Sequence, residues 1–157
     1  MLESINPIIT SLENAPNILL PLIGEIPNEI IKRRPVPGKW SAHEHAAHLT
    51  QTDSIFINRL NLMLTEENPV IKSYLPDKDE EDGAFLKIDL APALEKFARE
   101  RKTLVEKLKT LSAEDWQRTA RHEEYTHYSV FIMFRHLALH DNLHSYRIEE
   151  ILLSKEM

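Results

Sequence analysis

Along most of the chain apolar positions recur every three or four residues, and strand-like alternation is nearly absent, which predicts a mostly helical protein. The first apolar segment, residues 5–31, carries Pro7, Pro16, Pro21 and Pro27. Pro16 and Pro27 suit first-turn positions of helices, whereas Pro21 would kink or break whatever it sits in. A broken helix is therefore expected over roughly 4–24, with a short helical turn after Pro27. The run RRPVPGKW, 33–40, reads as a loop. SAHE, Ser41 to Glu44, is a capping box, in which the serine side chain takes the N3 amide and the glutamate reaches back to the N-cap amide. A helix should follow over 42–65.

Residues 66–88 form a long acidic connection with two prolines and a glycine. A connection this long in a compact domain is usually functional, and here it is expected to cross the bundle or cover a site. Asp89 is placed to cap a third helix over 90–111. Its apolar stripe runs through Leu94, Phe97, Ala98, Leu104, Val105, Leu108 and Leu111. Arg101 interrupts that stripe, its stem expected along the apolar face and its head in water. SAED, 112–115, repeats the cap signal for a short turn containing Trp116. Residues 117–127 should be irregular or a small hairpin, and a last helix should run from about Ser129 to 153. Four main helical segments in one domain, residues 1–157, predict an all-α four-helix bundle.

Charge and composition narrow the function. The net charge is −6, with no basic stripe to replace phosphate counterions, so nucleic acid is not an expected partner. Three glycines and no P-loop or G-x-G-x-x-G run leave phosphate cradles without support. The chain has no cysteine, which excludes disulfides, thiolate zinc sites and a cysteine nucleophile. Any thiol chemistry must use a thiol that arrives with the substrate. The N-terminal MLESINPIITSL has no basic run, and no apolar run is long enough to span a bilayer. A cytoplasmic location is expected.

Histidine is the residue that stands out. Eight histidines in random order give about 0.4 pairs at i,i+4 by simple counting, whereas HLALHDNLH holds two, 136/140 and 140/144. The stripe Val130, Met133, Phe134, Leu137, then Ile148, Ile151 and Leu152, continued through the middle of the helix, turns 140, 141 and 144 inward. His136 falls to one flank. Buried imidazoles need partners. His140 and His144 are either a hydrogen-bonded core pair or two ligands of one metal ion, whose third ligand lies on another helix. HEHAAH, 43–48, supplies the candidates. His43 and His48 are five apart, about 140° around a helix, so this is not the i,i+4 zinc-protease motif. His43 should be solvated in the first turn, while His45 and His48 can both face the bundle. A di-iron carboxylate site would need two Glu-x-x-His motifs on separate helices, and the one present, Glu124 to His127, precedes the last helix.

The blocks GKWSAHEHAAHLTQTD (38–53), LSAEDWQR (111–118) and HLALHDNLHSYRIEEI (136–151) resemble the DinB/YfiT-like family of metal-binding four-helix bundles. The resemblance lies in Trp40, Ser41, Glu44, His48 and Leu49, and in His140, His144 and Ile148. It implies the ligand set His48, His140 and His144, with His45 and His136 outside it. It also implies a divalent ion, zinc or nickel, and a homodimer. Arg147 stands where many relatives have glutamine. The family includes S-transferases that use a low-molecular-weight thiol, and that activity is the first functional expectation. A metal-dependent hydrolase is the alternative, with Glu44 and Asp53 the nearest carboxylates in sequence to serve as base. A non-catalytic metal- or ligand-binding bundle is the third. Tyr74, Trp116 and Tyr125 are candidate pocket linings, more often explained by packing.

Overall fold

The computed structural model describes residues 2–74 and 83–155. Four long helices, α1 (Leu2–Glu25), α2 (Ala42–Thr65), α3 (Leu90–Lys109) and α5 (Val130–Leu153), are accompanied by a short α4 (Ala113–Gln117) and a 3-10 turn (Ala84–Lys87). Two two-residue strands, β1 (Val70–Ile71) and β2 (Arg121–His122), pair in parallel, Val70 opposite Arg121 and Ile71 opposite His122. This pairing joins the two long connections. The small local hairpin expected near 117–127 is also present as an antiparallel bridge, Thr119 opposite Ser129, with Ala120 N donating to Tyr128 O at 3.1 Å and Val130 N to Arg118 O at 3.0 Å.

α1 packs on α3 and α5, and α2 packs on the same two helices, so the ring order is α1, α3, α2, α5. Two apolar clusters fix the helix directions. One joins the start of α1 and of α5 to the ends of α2 and α3. The other joins the end of α1 and of α5 to the starts of α2 and α3. Neighbours α2 and α3 therefore run parallel, and the 66–88 connection has to travel the length of the bundle, as its length suggested. Its residues 75–82, where most of its acidic residues fall, lie outside the described residues.

α1 is one continuous helix through Pro7, Pro16 and Pro21, not the broken helix expected from the sequence. An interior proline costs about 3 kcal/mol, and here the buried face Ile5, Ile8, Leu12, Leu19, Leu22 and Ile23 holds the helix together. At Pro16 the missing amide frees the carbonyl of Leu12, four residues back. That oxygen accepts a hydrogen bond from Arg101 Nη1 at 3.1 Å.

Arg101 is the main departure from the sequence reading. Its head does not reach water; it is 1% exposed. It pairs with Asp53 of α2 (Nη2 to Oδ1, 2.7 Å) and with Asp141 of α5 (Nη1 to Oδ2, 2.6 Å), and its guanidinium lies 4.7 Å from the Phe97 ring. One cation thus ties all four long helices in a polar layer between the two apolar clusters. Asp89 makes no side-chain cap to α3, whereas the capping boxes at Ser41 and Ser112 both form. Trp116 is a core residue packed against Phe134 (centroids 6.2 Å apart) and not part of the site cavity.

Candidate metal centre

Two neighbouring helices build the cluster. His48 sits on α2 and His140 and His144 one turn apart on α5, where i and i+4 side chains share a face. Their Nε2 atoms turn to one point: His48 and His140 are 2.9 Å apart, His144 and His140 3.1 Å. Among the described residues this is the one group of three or more potential ligand side chains whose donor atoms converge, all within 4.8 Å. A tetrahedral ion with metal–nitrogen bonds of about 2.0–2.1 Å needs its nitrogens about 3.4 Å apart, so a slight opening of the three rings admits it.

The donor chemistry fits a cation. Burial, then the neighbouring imidazoles His140 and His45, pushes His48 down to about 3. Burial, then His136 and Arg101, pushes His140 to about 4. His144 falls to about 2, again first by burial and then by the facing histidines. All three are neutral at pH 7, the form that binds metal. The Nδ1 atoms of His48 and His140 are buried without a hydrogen-bond partner. Among the described residues, the hydrogen-bond neighbours of the Nε2 atoms of these two rings are other imidazoles; an ion at the shared point would take these Nε2 lone pairs together, though it would not reach Nδ1.

His45 has a part the sequence did not assign. It lies outside the converging set, but its Nδ1 is 2.8 Å from His144 Nδ1. With His144 turning Nε2 to the shared point, its Nδ1–H donates to His45, which fixes the ring's tautomer and orientation. The signal was the i,i+3 spacing of His45 and His48, which sets both on the face toward α5. If His144 is a ligand, His45→Ala should weaken metal affinity by about 10–100-fold while leaving one ion bound at saturation, as competition with a chelator of known affinity would show.

The other candidates separate. Trp40 lies against the cluster, its ring centroid 5.6 Å from His144 and stacked, and 5.1 Å from His48. Tyr74 stacks on His48 at 6.2 Å. His43 is buried rather than solvated and donates Nε2–H to Ile88 O at 3.0 Å, latching the start of α2 to the segment before α3. Glu44 is committed to its cap and to Arg34, and Asp53 to Arg101; neither stands free as a base. Arg147 pairs with Glu150 at the surface. Among the described residues, Glu124 and His127 do not join a second metal-binding group.

The three histidines line a cavity of about 230 Å³ together with Tyr74 and Tyr125. It continues past His136 to Arg59 and Tyr128, residues that nothing in the helical periodicity marked. β2 brings His122 to the same wall.

Fold and cluster together define a four-helix bundle with a three-histidine group built like a metal centre. The family model described as the DinB superfamily matches residues 11–146, and the chain belongs to that superfamily. It is 31% identical over 123 residues to a protein of Oceanobacillus iheyensis named "Putative metal-dependent hydrolase", covering 76% of this chain and 69% of that one. Its fold is similar to that of YfiT from Bacillus subtilis, with a TM-score of 0.86 at 21% identity over 96% of this chain and 87% of that one. YfiT is described as "a probable metal-dependent hydrolase with an unusual four-helix bundle topology". No helix among the described residues is long and apolar enough to cross a membrane.

Proposed function

We propose that this protein is a metal-dependent hydrolase of small molecules, with one divalent ion, zinc or nickel, held by His48, His140 and His144. The observation that carries this is the convergence of three neutral Nε2 atoms on one point in the wall of a cavity. Imidazole donors suit zinc and nickel better than calcium or magnesium. Bound there, such an ion supplies Lewis acidity and makes a nucleophile available near neutral pH. The chain's own residues hold and shield it. His45 orients His144 through Nδ1, and Trp40 and Tyr74 flank the imidazoles. The names of the two relatives favour hydrolysis over other uses of the same site.

A second reading, transfer to a low-molecular-weight thiol, is favoured by one observation. Both carboxylates nearest in sequence to His48 are committed elsewhere, and a thiol becomes nucleophilic by losing its proton to bulk water without a side-chain base. The test compares metal-loaded and chelated protein on a panel of small esters and amides, and in parallel on a bacterial thiol with a general electrophile. Hydrolysis that requires the ion and is lost in His48→Ala is the expected result. Conjugation without hydrolysis would transfer the assignment to the thiol reading, and neither activity in a fully loaded protein would sink both.

A further inference from the structure

We propose that Arg59 and Tyr128 form an anion subsite in the same cavity as the histidine cluster, and that the substrate is a small carboxylate anchored there. The inference rests on the metal-site reading for what happens at the other end of the cavity. The subsite itself stands on separate residues.

Arg59 is a half-buried cation in the cavity wall. Its guanidinium carbon lies over the Phe56 ring, 5.5 Å from the centroid. Its hydrogen bonds go to neutral oxygens: Nη1 to the Tyr128 hydroxyl at 3.3 Å and Nη2 to the Lys72 carbonyl at 2.8 Å. Among the described residues no carboxylate lies within ion-pair distance of it. Glu124 is on the same wall, but it is exposed at the rim and does not pair with Arg59. Most of the guanidinium donors therefore remain, in the planar fork that matches a carboxylate. Because the Tyr128 hydroxyl accepts from Arg59, its own proton is left to donate, and no other acceptor within the described residues takes it. The two groups together offer an oxyanion a charge and donors from two sides.

The surroundings set the size and kind of ligand. His122 lies 4.6 Å from both Tyr125 and Tyr128, and Tyr125 is 6.0 Å from His136. These are flat faces suited to a ring or an unsaturated chain. The cavity, about 230 Å³, is below the roughly 300–1,000 Å³ typical of drug-sized ligands, which favours a compact molecule. A carboxylate on Arg59 leaves the rest of such a molecule extending along the cavity toward His140.

The test uses chelated, metal-free protein, so that binding is read without turnover. Benzoate and its neutral isostere benzamide are titrated calorimetrically into wild type, Arg59→Met, Arg59→Lys and Tyr128→Phe. Wild type should bind benzoate at least about tenfold tighter than benzamide, the scale of one charge-assisted hydrogen bond. Arg59→Met should erase that preference and Arg59→Lys should keep part of it. Tyr128→Phe removes one hydroxyl, serves if Arg59→Met does not fold, and should weaken benzoate alone. No preference for benzoate in wild type, or a preference that survives both Arg59→Met and Tyr128→Phe, overturns the proposal. Inorganic phosphate binding tighter than benzoate would overturn the carboxylate class. Uptake of zinc or nickel when the same variants are reloaded after the titrations keeps the two ideas apart. Loss of metal binding with the benzoate preference intact defeats the hydrolase reading and leaves the subsite; the reverse defeats the subsite alone.

Discussion

Arg101→Ala is expected to cost about 3–5 kcal/mol of folding stability in urea denaturation, because it breaks a buried ion group by removing one side. That is a large share of the roughly 5–15 kcal/mol that holds a typical domain folded. The residue is 1% exposed and its partners Asp53 and Asp141 are 0% and 1% exposed. Alanine would leave two carboxylates facing each other with no cation, and would free the Leu12 carbonyl that Pro16 cannot satisfy. The loss should depend on pH with a definite sign. Burial already pushes both carboxyls up, Asp141 to about 6, against the pull of Arg101. Without the arginine they rise further. A carboxyl whose folded pKa lies above its unfolded value contributes its stability at low pH and loses it as pH rises through the folded value. The deficit of Arg101→Ala should therefore be larger at pH 8 than at pH 5. Replacing all three groups together, Asp53→Leu, Arg101→Met and Asp141→Leu, should cost far less than Arg101→Ala, since a desolvated ion group contributes little net stability. If the single and triple variants were equally unstable, packing volume and not charge would explain the loss.

The helices were legible because apolar period and capping chemistry agree. Ser41 and Ser112 each precede an acid three residues on, and both boxes form where the pattern placed them. What local pattern could not supply was anything satisfied across helices. Pro16 reads locally as the first turn of a new helix, but it lies inside α1, whose buried face holds it, and the distant Arg101 takes the Leu12 carbonyl that it leaves without an amide. Arg101 reads locally as a snorkelling surface residue, because its two acids are 48 and 40 positions away. The parallel pairing of β1 with β2 joins segments about fifty residues apart and has no local signal. The same limit explains the site. His140 and His144 were visible as polar residues at core-stripe positions, and the spacing of His45 and His48 put both toward α5. Their division of labour follows from the register of α2 against α5, which sets His48 Nε2 beside His140 and His45 Nδ1 beside His144. Arg59 and Tyr128 come together through the fold of the connections around α2, and no spacing rule reaches that far.

Adding zinc or nickel to chelated protein should raise stability by about 2.7 kcal/mol at a hundred times the dissociation constant. For a chain of this length that is a rise of about 5–11 °C in melting temperature. In His140→Ala the rise should vanish. Its Nε2 stands between the other two, 2.9 Å from His48 and 3.1 Å from His144. Removing it leaves two donors from different helices with no shared neighbour. His48→Ala should behave the same way. Arg59→Met should keep the full rise, since that residue makes no contact with the three imidazoles among its hydrogen bonds or ring contacts. Calcium is the control that guards the interpretation. The sequence between Asp77 and Asp82 holds five acids, and oxygen donors of that kind prefer calcium to zinc. An ion bound by the imidazoles stabilises wild type as zinc or nickel, does little as calcium, and loses its effect with His140. A rise given equally by calcium, or one that survives His140→Ala, would place the ion on carboxylates and remove the histidines from the metal site.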